Sequence, residues 1–85
     1  MTPEQCRAAR GWLDWSQAEL ADAAHVSLST VRDFEKGRRT PIGNNLTAIR
    51  AALEARGLGF VFQNDGNETR ASGLTFVKPE ERISH

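Results

Sequence analysis

Apolar positions recur at intervals of three and four through the first two-thirds of the chain, then switch after Gly57 to alternation. The first pattern predicts helices and the second predicts strands. Thr2-Pro3-Glu4-Gln5 reads as a cap, a proline at the first helical position and a capping-box glutamine, so a first helix begins at Pro3. In that helix Cys6, Ala9 and Leu13 point inward with Trp12 beside them, while Arg7 and Asp14 are solvated. Ser16 followed by Glu19 is another capping box and opens a helix at Gln17, whose apolar stripe is Ala18, Leu20 and Ala21. The pattern breaks at His25-Val26. Ser27 caps again, and Val31 and Phe34 mark a third helix, from Leu28 to about Lys36, that stops at Gly37. Pro41 biases Arg38-Arg39-Thr40 toward an extended loop. Asn44 or Asn45 then caps a fourth helix with Leu46, Ile49 and Leu53 inward and Gly57 at its end.

In the alternating part, Leu58, Phe60 and Phe62 share one face of a strand, and Leu74 and Phe76 share one face of a second, with Val61 and Val77 on the opposite faces. The intervening QNDGNETRASG is rich in turn formers. A two-residue turn at Asp65-Gly66 would pair Phe62 with Thr69, and the second apolar run would overshoot the first. Matching the runs therefore predicts a long loop. A lone two-stranded ribbon is marginal in water, and Phe60, Phe62 and Phe76 need cover. The expected cover is a second copy of the chain, which makes Leu58, Phe60, Phe62, Leu74 and Phe76 a dimer interface across a two-fold axis. The alternative folds the ribbon back on the first or fourth helix of its own chain. Lys78 to His85 is polar and expected to fray.

The second and third helices share Leu20, Ala21, Val26, Val31 and Phe34 as buried contacts, which leaves Leu28, Ser29, Arg32, Asp33 and Lys36 facing outward. The combined spacing of Gln17-Ala18-x-Leu20-Ala21, Val26-Ser27, Ser29-Thr30-Val31 and Phe34-Glu35-x-Gly37-x-x-x-Pro41 resembles the helix-turn-helix of the Cro/C1 repressor family, also called the XRE family, over about Thr2 to Gly57. The resemblance implies a four-helix domain over residues 1–57; with the strands read from the alternating part as a two-stranded β extension over 58–78 and a flexible tail over 79–85, the expected fold is mostly α. It implies that Leu28 to Lys36 is a recognition helix in the major groove of double-stranded DNA, with the helix from Gln17 lying across the backbone. It also implies that Arg10 pairs with Glu35 and ties the first helix to the third. His25 stands where the family usually has glycine, and Leu28 where many members carry a long polar reader.

Charge changes this picture in one respect. Eleven basic and eleven acidic residues cancel in a chain of 85, so affinity for a polyanion cannot come from a basic tail and has to be placed locally. Arg32, Lys36, Arg38 and Arg39 against Asp33 and Glu35 form a modest basic patch where the motif would meet phosphates. Gln17 is expected to position a phosphate through its amide and the free N–H groups of its helix. Arg32 is the candidate base reader, able to grip both acceptors of guanine, with a phosphate clamp as its competing role. Ser27, at the start of the third helix, is a further candidate DNA contact; Ser29 and Thr30 reach bases or backbone, and Leu28 can press on a thymine methyl. Asp33 either accepts from cytosine or pairs with Lys36, and the pairing is the preferred reading.

The remaining chemistry is sparse. The single cysteine, Cys6, excludes an internal disulfide and reads as a small core residue, with no carboxylate or histidine at ligand spacing in sequence. Scattered aspartates make no acid-base pair, so neither catalysis, a metal nor a cofactor is expected. Nothing resembles a membrane span or a signal peptide, and the expected location is the cytoplasm. The function these features predict is a DNA-binding transcriptional regulator, by analogy a repressor, acting as a homodimer on an inverted repeat. The alternative is an antitoxin or other interaction module whose β extension binds a different protein.

Overall fold

The structure is a computed structural model and describes residues 1–65 and 68–76. Four helices, α1 (Pro3–Leu13), α2 (Gln17–Ala24), α3 (Leu28–Glu35) and α4 (Gly43–Glu54), precede two antiparallel strands, β1 (Leu58–Asp65) and β2 (Glu68–Phe76). Local capping chemistry sets the first helix starts. Thr2 and Ser16 each close a full capping box, Thr2 with Gln5 and Ser16 with Glu19, and Ser27 accepts the Thr30 N–H at the start of α3. The fourth start differs from expectation. Ile42 occupies the cap position of α4 and neither Asn44 nor Asn45 supplies a side-chain bond there, because the helix begins one residue before Asn44, at Gly43. At the other end Gly57, at φ 95°, turns the chain out of α4 into β1.

Leu20, Val31, Ile49, Leu53 and Cys6 are fully enclosed, and Ala9, Ala21, Ala24 and Phe34 complete the core with them. At about 1.5 to 3 kcal/mol for each large aliphatic side chain removed from water, these few residues supply most of the driving force. Small residues at Ala9, Ala21 and Ala24 let the helices approach closely. Trp12 and Ala18 depart from the periodicity. Trp12 is 63% exposed and Ala18 is exposed, because both lie beside rather than on the strip that faces α3 and α4. Leu13 and Trp15 pack at the core's margin, with the Arg56 guanidinium 5.4 Å from the centre of the Trp15 ring.

The ribbon corrects one expectation. Pairing continues to Asp65↔Glu68, so no long loop is needed to align the apolar runs. The register instead slips between Phe62↔Ala71 and Val61↔Gly73, leaving Ser72 as the extra residue of a bulge. That slip sets Phe60 opposite Leu74 and Leu58 opposite Phe76, which keeps the apolar positions on one face. That face also meets helices of its own chain. Leu58 is buried in the core of its own chain, Phe60 and Leu74 pack against it, and the Arg50 guanidinium lies 5.4 Å from the Phe60 ring centre and 5.9 Å from that of Phe62. The Gln5 side chain donates to the carbonyls of both Val61 and Gly73, at 3.1 and 3.0 Å, and so joins α1 to the ribbon beside the bulge. Helices of the same chain therefore cover Leu58, Phe60 and Leu74, while Phe62 is 38% exposed; the side chain of Phe76 lies outside what the structure describes. Val77 and the tail at 79–85 lie outside the described residues.

Candidate nucleic-acid interface

The turn between α2 and α3 follows from local backbone demands. His25 takes a left-handed conformation (φ 58°, ψ 41°) as the C-cap of α2, the Val26 N–H bonds back to the Ala21 carbonyl, and Ser27 starts α3. An imidazole tolerates this region at some cost that glycine would avoid. At the far end Lys36 is the C-cap of α3, and Gly37, at φ 72°, lets the Arg38 N–H reach the Asp33 carbonyl at 2.9 Å. The chain then runs along the outside of α3 as Arg38 to Ile42.

Beneath this unit sits Glu35, only 2% exposed. Arg10 grips its carboxylate with Nε at 2.7 Å from Oε2 and Nη2 at 2.8 Å from Oε1, the planar fork the resemblance implied. Three further donors converge on the same residue. Gln17 Nε2 donates to Oε1 at 3.0 Å, the Cys6 thiol to Oε2 at 3.1 Å, and Arg7 Nη1 to the Glu35 backbone carbonyl. Burial by itself would raise the Glu35 carboxyl, but the hydrogen bonds from Arg10, Gln17 and Cys6, with the Arg10 charge, outweigh it and hold the group below the usual carboxylate range. The Cys6 thiol is pushed strongly up by burial and by its bond to Glu35, so it stays protonated. Sequence spacing missed this carboxylate near Cys6, because the two residues come together only when α1 packs on α3. Arg7, expected in solvent, keeps its exposure but spends a donor on the end of α3.

Above Glu35 the expected contact residues divide into two groups. Ser29, Arg32, Lys36, Arg38 and Arg39 are exposed on α3 and the following loop, and Ser27 is exposed at the start of α3. Among the described residues the ion pairs are Arg10–Glu35 and Arg50–Glu54, so all four cations of this surface are unpaired by protein. Gln17, Leu28, Thr30 and Asp33 are half-buried. The Gln17 amide is turned inward to Glu35, and with the Glu19 N–H taken by Ser16 the backbone N–H groups of Gln17 and Ala18 are the remaining first-turn donors of α2. Leu28 leans on the core margin, and the Thr30 hydroxyl is 2.7 Å from that of Ser27. The preferred Asp33–Lys36 pair is not made, because Asp33 faces a groove of about 420 Å³ while Lys36 closes the helix in solvent. Ser29, Thr30, Arg39, Pro41 and Ile42 line that groove with it. Ile42, 77% exposed, is a contact candidate that periodicity alone does not reveal.

Among the described residues no cluster of three or more histidine, cysteine, aspartate or glutamate side chains could hold a metal, and no helix is long and apolar enough to cross a membrane. No curated protein matches the chain. The helix-turn-helix family matches residues 7–57, from the middle of α1 to the end of the turn after α4, which is more than half of the chain. With four helices in this order, a capped turn between α2 and α3, and an outward α3 face carrying exposed cations, the chain belongs to the Cro/C1-type (XRE) helix-turn-helix family of DNA-binding regulators.

Proposed function

We propose that the chain is a sequence-specific transcriptional repressor that binds an inverted repeat as a homodimer, with Leu28 to Lys36 in the major groove. The observation that carries this reading is the outward face of α3, where Arg32 and Lys36 stand exposed without an ion-pair partner among the described residues while Glu35 anchors the opposite side to α1. Arg32 reads a guanine, Ser29 and Thr30 touch base edges or sugar, and Leu28 presents apolar surface to a thymine methyl. Arg38, Arg39 and the first-turn N–H groups of α2 set the register on phosphates. Residues 1–57 act as the DNA-binding domain and the strands as the dimerisation element. Since Leu58, Phe60 and Leu74 serve their own core, pairing between copies runs through Phe62 and the outer strand edges, each strand having a single neighbour among the described residues.

Selection of bound duplexes from a random pool, with light scattering on the purified chain, tests this reading. The expected result is an inverted repeat with half-sites about one helical turn apart and a dimeric mass. Failure to enrich any sequence at low salt overturns DNA reading by α3. Enrichment of single half-sites by a monomer overturns the homodimer alone and leaves the ribbon to a different protein.

A further inference from the structure

A carboxylate on a surface that meets DNA is opposed by every nearby phosphate, so its retention there calls for a donor that repays it. Asp33 is such a group. It sits one turn after Ser29 on the outward side of α3, half-buried, and its carboxylate makes no hydrogen bond or ion pair with the described residues. None of the four nearby cations pairs with it among the described residues: Arg32 and Lys36 are exposed on α3, Arg38 is exposed beyond Gly37, and Arg39 shares the groove without closing to ion-pair distance. The groove itself is mixed in character, with Ser29 and Thr30 from α3 and, from the following loop and the start of α4, Arg39, Thr40 and Asn45 interleaved with Pro41 and Ile42.

Resting on the proposed DNA-binding role, we infer that Asp33 is a specificity-determining residue that selects cytosine in the major groove by accepting a hydrogen bond from its exocyclic amino group. Of the four bases, adenine and cytosine offer an amino donor in that groove, and they differ in what lies beside it. Adenine places the N7 acceptor next to its amino group, which repels a carboxylate, whereas cytosine places a C–H there. Guanine and thymine present only acceptors, together with the thymine methyl, to the same oxygen atoms. Asp33 therefore rejects three bases and accepts one. Asp33 is half-buried in this groove, so water competes less for the carboxylate than it would on an open helix face.

The test selects duplexes from one random pool with the wild type, Asp33→Ala and Asp33→Asn, and measures affinity for a scrambled duplex by fluorescence anisotropy. Circular dichroism checks that each variant keeps its helices. The wild type is expected to enrich cytosine at one position of each half-site by roughly tenfold over the other bases. Asp33→Ala is expected to lose that preference at that position alone while binding scrambled DNA more tightly, since a negative charge has gone. Asp33→Asn is expected to move the preference to adenine, whose N6 and N7 a carboxamide can bridge. Unchanged base preferences in both variants overturn the role of Asp33 and leave α3 as the reader. If the wild type enriches nothing while remaining folded, the DNA-binding role and this inference fall together.

Discussion

Replacing Arg10 with methionine keeps much of the side chain's length and removes its charge. It takes two charge-assisted hydrogen bonds, of 2.7 and 2.8 Å, from a carboxylate that is 2% exposed. Breaking one side of a buried ion pair costs about 3 to 5 kcal/mol, largely because the remaining charge is left without its partner. The lower end applies to Glu35, since Gln17 and Cys6 still donate to it and the Arg10 side chain is itself 19% exposed. A loss of about 3 kcal/mol is a large part of what a domain of this size has, and at about 4 to 8 °C per kcal/mol it lowers the melting temperature by roughly 12 to 24 °C. Thermal and urea unfolding followed by circular dichroism measure both quantities. Glu35→Leu in the Arg10→Met background removes the stranded charge as well, so the double variant is expected to be at least as stable as Arg10→Met alone, with a coupling of about 2 kcal/mol. The pH dependence follows from the depressed Glu35 carboxyl. Its folded value lies below the ordinary 4.5, so the stabilisation is complete above that pH and is lost as pH falls through the folded value. The gap between wild type and Arg10→Met should therefore close under acid conditions. A loss below 1 kcal/mol at neutral pH, or single-variant losses that simply add, would refute the view of Glu35 as a buried charge held by Arg10.

Arg32→Ala is expected to lower affinity for the selected site by about 1 to 3 kcal/mol and to relax base preference there, while Arg38→Ala weakens all duplexes alike and reduces the salt slope by about one unit. Equal losses on selected and scrambled DNA for both variants would make Arg32 a phosphate clamp. His25→Gly relieves a left-handed non-glycine cap and is expected to stabilise the domain by about 0.5 to 1 kcal/mol in chemical denaturation, with DNA affinity unchanged. Gln5→Ala strips the donors from the Val61 and Gly73 carbonyls together with half of a capping box, and is expected to cost about 2 kcal/mol. Hydrogen exchange in that variant should rise in β1 and β2 before it rises in α2 and α3; uniform acceleration would argue against a separately docked ribbon.

The parts of this fold that were legible in the sequence are those whose causes are local. Capping boxes at Thr2 and Ser16 lie within four residues of chain, and the His25 turn and Gly37 stop are single-residue backbone demands. The Arg10–Glu35 pair was legible only through family resemblance, since nothing in the spacing of two residues on different helices announces that they meet. Causes that act across the chain were not legible. Trp12 differs from Leu13 by one step around a helix, and only the placement of α3 and α4 decides which is covered. The bulge at Ser72 depends on Phe60 and Leu74 finding the core and on Gln5 reaching the ribbon from the other end of the sequence. Asp33 and Lys36 have the spacing of a helical ion pair, yet Lys36 falls at the C-cap and Asp33 faces the loop that follows.

Helix α1 contributes no expected DNA contact and yet is bonded both to the ribbon and to the end of α3. Gln5 holds the ribbon, Cys6 and Ala9 enter the core, and Arg7 and Arg10 hold the end of α3. Gln5 and Arg10 are five positions apart, which places them about 140° apart around the helix and about 7.5 Å apart along it. One side of α1 can thus serve the recognition helix while another serves the strands. The consequence for a dimeric reader is geometric. Copies joined through their ribbons can enforce a half-site spacing only if the ribbon and α3 are connected by something stiff. A direct link would have to cross the core, whereas α1 provides a continuous hydrogen-bonded rod fixed at both contacts. The buried polar groups of the domain, Gln5 and Glu35, are the points where that rod is fastened, and their full set of donors and acceptors is satisfied in both places. Apolar packing alone would let α1 slide or rotate with little loss. Directional bonds at Gln5 and Glu35 convert the same contact into a defined orientation, which is the property a protein that measures distance along DNA requires.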